Sequence, residues 1–153
     1  GARLGDAAMV DAGTASLNWL LSIQHSDEGN FAPIGSNGFF ERGGSTAAYD
    51  QQPVEACAVV SACMEARRVT GDPCWFEHAR RAFGWFLGQN DAHVMLYEAA
   101  TGGCRDGLHA DRANENQGAE ATVSFLQALL DMRSADRIAA GAASLAPTTT
   151  VAP

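Results

Sequence analysis

Two short strings pair an amide with a carboxylate one helical turn apart: Gln52 with Glu55 in QPVEA, and Gln117 with Glu120 in QGAEA. A separation of three places both side chains on nearly the same side of a first helical turn, where free backbone N–H groups also point outward. Just upstream stand Asp50 in YDQQPVE, and Asp106 and Asn116 in RDGLHADRANENQ. Grouped amides and carboxylates suit sugar hydroxyls, because each hydroxyl both donates and accepts. Asp106 with Glu120, or Asp50 with Glu55, has the make-up of the acid and base pair that glycoside cleavage uses. The same residues also have a structural use. A Glu in the first turn complements the helix dipole, the Gln to Glu spacing is the second half of a capping box, and Asp106 before Gly107 suits a turn.

The elements that must position these groups are themselves repeated. Trp19, Leu20 and Leu21 end one apolar stretch and Trp85, Phe86 and Leu87 end another. These landmarks and the two Gln strings share an offset of about 65 positions, the mark of a duplicated unit of helix, long loop and helix. Apolar periodicity predicts amphipathic helices over 6–24 and after Asp72, where Pro73 suits the first turn, and apolar helices over 53–69 and 117–132. Such alternation fits an inner and an outer ring of helices, with Trp19, Trp75 and Trp85 in the core. The loops over 25–52 and 90–116 are long and the connection between the second and third helices is short, so one face is decorated. Short strands are expected around Gly38, Phe39 and Phe40, and over 94–97. Residues 6–133 read as one helical domain, and 134–153, rich in Ala, Gly, Ser, Thr and Pro, as a frayed helix end and disordered tail.

Composition narrows the function classes. Hydrophobic residues make up 46 % and charged ones 18 %, which is globular. Net charge is −8 and every basic residue is Arg, so no basic patch offers itself and nucleic acid is not an expected partner. No apolar run approaches the roughly 20 residues that span a bilayer. Cys57, Cys63, Cys74 and Cys104 lack zinc spacing and read as reduced, buried thiols, which implies a cytoplasmic location. His25, His78, His93 and His109 are scattered, although His109 lies in the rim loop, where it can touch a ligand. Asp111, Asn114, Glu115 and Asn116 miss the EF-hand spacing, and phosphate loops and nucleophile elbows are missing too. Neither a metal nor a cofactor is expected.

The strings DQQPVEA, TGDPCWFEHARRAFGWFLGQND and GGCRDGLHADRANENQGAEATVSFLQALLDM, in that order, carry a resemblance over residues 17–132. The chain resembles the C-terminal helical region of a group of bacterial group 1 glycosyltransferases. The resemblance implies an all-α fold of repeated helical hairpins forming part of an α/α toroid, similar to six-hairpin glycosidases, with long loops on one face. In that family the nucleotide-sugar site belongs to upstream Rossmann-like halves, so the segment does not transfer sugar alone and the family's catalytic residues do not carry over. Two repeats do not close a toroid, so the resemblance also implies a fragment, or a ring completed by an upstream glycosyltransferase domain or by self-association. The reading is a carbohydrate-recognising accessory region with Asp50, Gln52, Glu55, Asp106, Asn116, Gln117 and Glu120 at its rim. A stand-alone glycoside-acting enzyme with catalytic Asp106 and Glu120, or a purely structural packing module, are the alternatives.

Overall fold

Pro53 opens the central helix at a position where its missing N–H is no loss, and Gly71 ends it in the left-handed conformation, its N–H donating to the Arg67 carbonyl. In the computed structural model, which describes residues 1–38 and 40–144 with side chains to Ala135, this helix is α2 (Pro53–Thr70). It is preceded by α1 (Ala7–Ile23) and followed by α3 (Cys74–Phe86), a strand pair β1 (Tyr97–Glu98) and β2 (Gly103–Cys104), and α4 (Ala119–Ser144). Asp6 caps α1 by accepting the Met9 N–H at 3.0 Å, and Asp72 accepts the Cys74 N–H at 2.9 Å at the start of α3. Residues 145–153, the end of the expected tail, lie outside the described residues.

Ala56, Val59, Val60 and Cys63 of α2 pack against Ala79, Ala82, Trp85 and Phe86 of α3 and against Ala121, Phe125 and Ala128 of α4. Phe125 is the aromatic centre: Tyr97 stacks on it at 4.5 Å, and Phe86 meets it edge-on at 5.5 Å. Trp85, at the end of α3, bonds Gln51, just before α2, so α3 runs antiparallel to α2. Gln24, just after α1, bonds Glu55 in the first turn of α2, so α1 is antiparallel as well. Ser61 Oγ donates to Asp131 Oδ2 at 2.5 Å, and adjacent Asp106 and Gly107 sit against Gly118 before α4 and against Gln51 and Gln52 before α2, so these two helices run parallel. The loop between α1 and α2 and the loop between α3 and α4 therefore meet at one end.

The expected all-α fold of hairpins in a toroid is not what forms. The fold is mixed, with four helices and a small antiparallel sheet in which Tyr97 faces Cys104 and Glu98 faces Gly103. Leu96, Cys104 and Leu108 between α3 and α4 are fully buried, and their backbones must pair once they turn inward, which makes this loop a third core element. The ring of inner and outer helices is absent as well. α1 buries no residue completely, and α4 leaves Val123, Leu126 and Leu130 exposed. Trp75 and Trp85 are core residues, whereas Trp19 is 46 % exposed beside Phe40. Cys57, Cys63 and Cys104 are buried but Cys74 is exposed, and all four are free. The strand expected over 94–97 reaches only Tyr97, and Gly38 and Phe40 belong to none; Phe39 lies outside the described residues. Among the described residues, no helix is long and apolar enough to cross a membrane.

The two faces of α4 should respond differently to truncation. Phe125→Ala, inside the aromatic cluster, should lower stability to urea by about 3–5 kcal/mol. Leu130→Ala, 63 % exposed, should change it by no more than about 0.5 kcal/mol.

Candidate functional site

The loop-rich end is assembled around two buried amides. Gln51 is 3 % exposed; its Oε1 accepts the Trp85 Nε1–H at 2.7 Å and its Nε2 donates to the Ala48 carbonyl at 3.0 Å. Its backbone then pairs with Leu108, each N–H donating to the other's carbonyl at 3.0 and 2.9 Å, which zips the first long loop to the second. Asn90, 1 % exposed, closes the turn after α3 by donating to the Trp85 and Val94 carbonyls, both at 2.8 Å, and accepting the Val94 N–H. Asp91 ties the two loops a second time, its Oδ1 accepting from Ser26 Oγ at 2.7 Å and Asn30 Nδ2 at 2.8 Å. Arg81 of α3 adds a bond to the Gly29 carbonyl at 2.6 Å.

The extended backbone at Gln51 turns alternate side chains to opposite sides, so Asp50 and Gln52 point away from Trp85 and toward Gly107. A Cβ on Gly107 would lie 2.8 Å from Asp50 Oδ1, 2.9 Å from the Gln51 carbonyl and 3.2 Å from Gln52 Nε2. Only glycine admits that approach. His109 Nδ1 stands 3.5 Å from Asp50 Oδ1 without hydrogen-bond geometry, and this buried oxygen has no hydrogen-bond partner. Gln52 begins α2 without a side-chain cap. Asp50, Gln52 and His109 thus form one group.

The remaining candidates are dispersed. Asp106 Oδ1 accepts the Gly118 N–H at 2.5 Å, holding the start of α4. Asn116 is exposed, and its carbonyl accepts the Asp106 N–H at 3.0 Å. Gln117 Oε1 accepts from Thr101 Oγ1 at 2.7 Å and so braces the strand turn. Glu120 is exposed in the first turn of α4. Glu55 is half-buried and bonded by Gln24 Nε2 at 3.2 Å; burial pushes its carboxyl above the ordinary value, and the nearby Ile34 N–H and the Gln24 amide oppose that in part. Beneath Asp106, the Cys104 thiol is pushed up to about 12 by burial and then by the Asp106 charge, so it is an inert packing group.

A polar cleft of about 470 Å³ opens within the first long loop, lined by His25, Ser26, Asp27, Glu28 and Tyr49, with Asp91 contributed by the second loop. Tyr49 and Gln51, which flank Asp50, both line it, and so does the loop of Ala32, Pro33 and Ile34. A Cβ on Gly35 would run into the Tyr49 backbone, so a glycine there lets the wall close. Neither Gln51 nor the cleft residues are singled out by the sequence reading. Gln51 carries no signal beyond its place beside Gln52, and the cleft draws on segments from both loops. No protein-family model matches the chain, and none of the curated proteins does.

The adjacent glutamines separate a residue bonded into the core from one that is not. Gln51→Ala leaves the fully buried Trp85 N–H without an acceptor and should cost about 1–3 kcal/mol in urea unfolding followed by tryptophan emission. Gln52→Ala, with no cap bond to lose, should stay within about 0.5 kcal/mol of the parent.

Proposed function

We propose that the loop-rich end recognises carbohydrate and that the chain is the accessory region of a cytoplasmic glycosyltransferase whose nucleotide-sugar domains lie elsewhere. The observation that carries the first half is the cleft at this end. Its lining combines Asp27, Glu28 and Asp91 with Ser26, His25 and Tyr49, and includes no Arg. Such a lining repels a diphosphate and favours a neutral ligand rich in hydroxyls, which can donate to the carboxylates and lay an apolar face on the tyrosine. Asp50, Gln52 and His109 form a separate polar group at the same end of the molecule. The accessory role is supported by the resemblance to group 1 glycosyltransferases. The glycosidase alternative gains no support from Asp106, whose carboxylate holds the Gly118 amide just before α4.

Calorimetric titration of the chain with manno- and gluco-oligosaccharides tests this reading. Binding by one of them is expected, and Tyr49→Ala should weaken it by about 10-fold, or about 1.4 kcal/mol. Gln117→Ala, which alters only the brace of the strand turn, should leave affinity within about 2-fold, below about 0.5 kcal/mol. No heat from any of these sugars, in a chain shown to be folded by circular dichroism, rejects the carbohydrate reading.

A further inference from the structure

Gln24 and Glu55 meet where α1 ends and α2 begins. Gln24 is the residue on which α1 closes, its N–H donating to the Leu20 carbonyl, and it is 3 % exposed although α1 itself buries no residue. Its Nε2 donates to Glu55 Oε2 at 3.2 Å, while its Oε1 is buried and has no hydrogen-bond partner. A buried amide oxygen without a donor is unfavourable, so any state of the pair that supplies one is stabilised. The groups around Glu55 are neutral. From α1 it faces the Gln24 amide, and from the loop between α1 and α2 the Ile34 N–H; no charged group of α2, α3 or α4 shifts it. The titratable neighbours along the chain are turned elsewhere, His25 Nδ1 to the Ser26 carbonyl at 3.4 Å and Asp50 to His109 at 3.5 Å.

We propose that Gln24 and Glu55 form a proton-operated latch between α1 and α2. Water supplies a proton to Glu55 Oε1, and the new O–H donates to Gln24 Oε1 while Gln24 Nε2 keeps donating to Glu55 Oε2. Acid and amide then hold each other by two hydrogen bonds. Release of the proton to water breaks one of them and leaves Gln24 Oε1 without a donor again. Burial favours the protonated form, since it raises the Glu55 carboxyl above the ordinary glutamate value. A carboxyl with a higher pKa folded than unfolded stabilises the fold below the unfolded value, and that contribution is lost as pH rises through the folded one. The end of α1 therefore loosens with rising pH, and this is the helix that has least else to hold it.

The test is carbon-detected NMR of the Glu55 carboxyl in the full chain, folded and in urea, together with the indole resonance of Trp19 on α1, in parent, Glu55→Gln and Gln24→Ala chains. The folded Glu55 midpoint should lie above the unfolded one, and the Trp19 resonance should move with the same midpoint. Glu55→Gln, whose amide keeps a donor at every pH, should abolish that movement. Gln24→Ala should abolish it too and hold Trp19 at its high-pH position throughout. A Glu55 midpoint at or below the unfolded one, or a Trp19 resonance that ignores it or still moves in Glu55→Gln, overturns the latch.

Discussion

The hydrogen bond from the Trp85 indole to Gln51 is the constraint on which the loop-rich end depends. Trp85 is completely buried at the end of α3, so its N–H must find an acceptor inside the fold. Gln51 supplies it by turning inward from the residue before the Gln52 cap of α2, and that choice settles what happens on either side. Asp50 and Gln52 are turned outward by the alternation of extended backbone. The Gln51 main chain is left free to pair with Leu108, which draws the second loop against the first and sets Gly107 under Asp50. One polar contact in the core thus fixes how the two loops meet beside the cleft.

Local punctuation made the helices legible. Pro53 opens α2 and Asp72 with Pro73 starts α3, each through a contact that reaches no further than a turn along the chain. The sheet was not legible in the same way. Its strands are two residues long, and they exist because Leu96, Cys104 and Leu108 are drawn under α3 and α4, a tertiary demand that no window of periodicity carries. The toroid failed for a related reason. An apolar helix reads as shielded on every side, yet α4 leaves Val123, Leu126 and Leu130 in solvent, and the amphipathic stripe of α1 leaves Trp19 there.

The repeated Gln and Glu strings both lie at the loop-rich end of the molecule, but the pattern does not distinguish their roles there. Gln52 aligns with Gln117 in sequence, but Gln117 braces a strand turn while Gln52 opens a helix beside Gly107. Glu55 aligns with Glu120, but one is half-buried against an amide and the other is exposed. The two units share a pattern of residue types, and their neighbours in space differ. The cleft itself draws on positions around 25 and 91 that come together only through the bonds of Asp91 to Ser26 and Asn30, so their spacing along the chain forms no motif.

The tight connection of Gly71, Asp72 and Pro73 sets a sequence of events in folding. Through it α2 and α3 pack with little chain between them, whereas the contact of Gln51 with Leu108 must first close a far longer span. The helical pair is the natural nucleus, and the two loops zip together last. What assembles last on a stable base also opens first, so local opening should begin at the loop-rich end while the aromatic cluster around Phe125 stays shut.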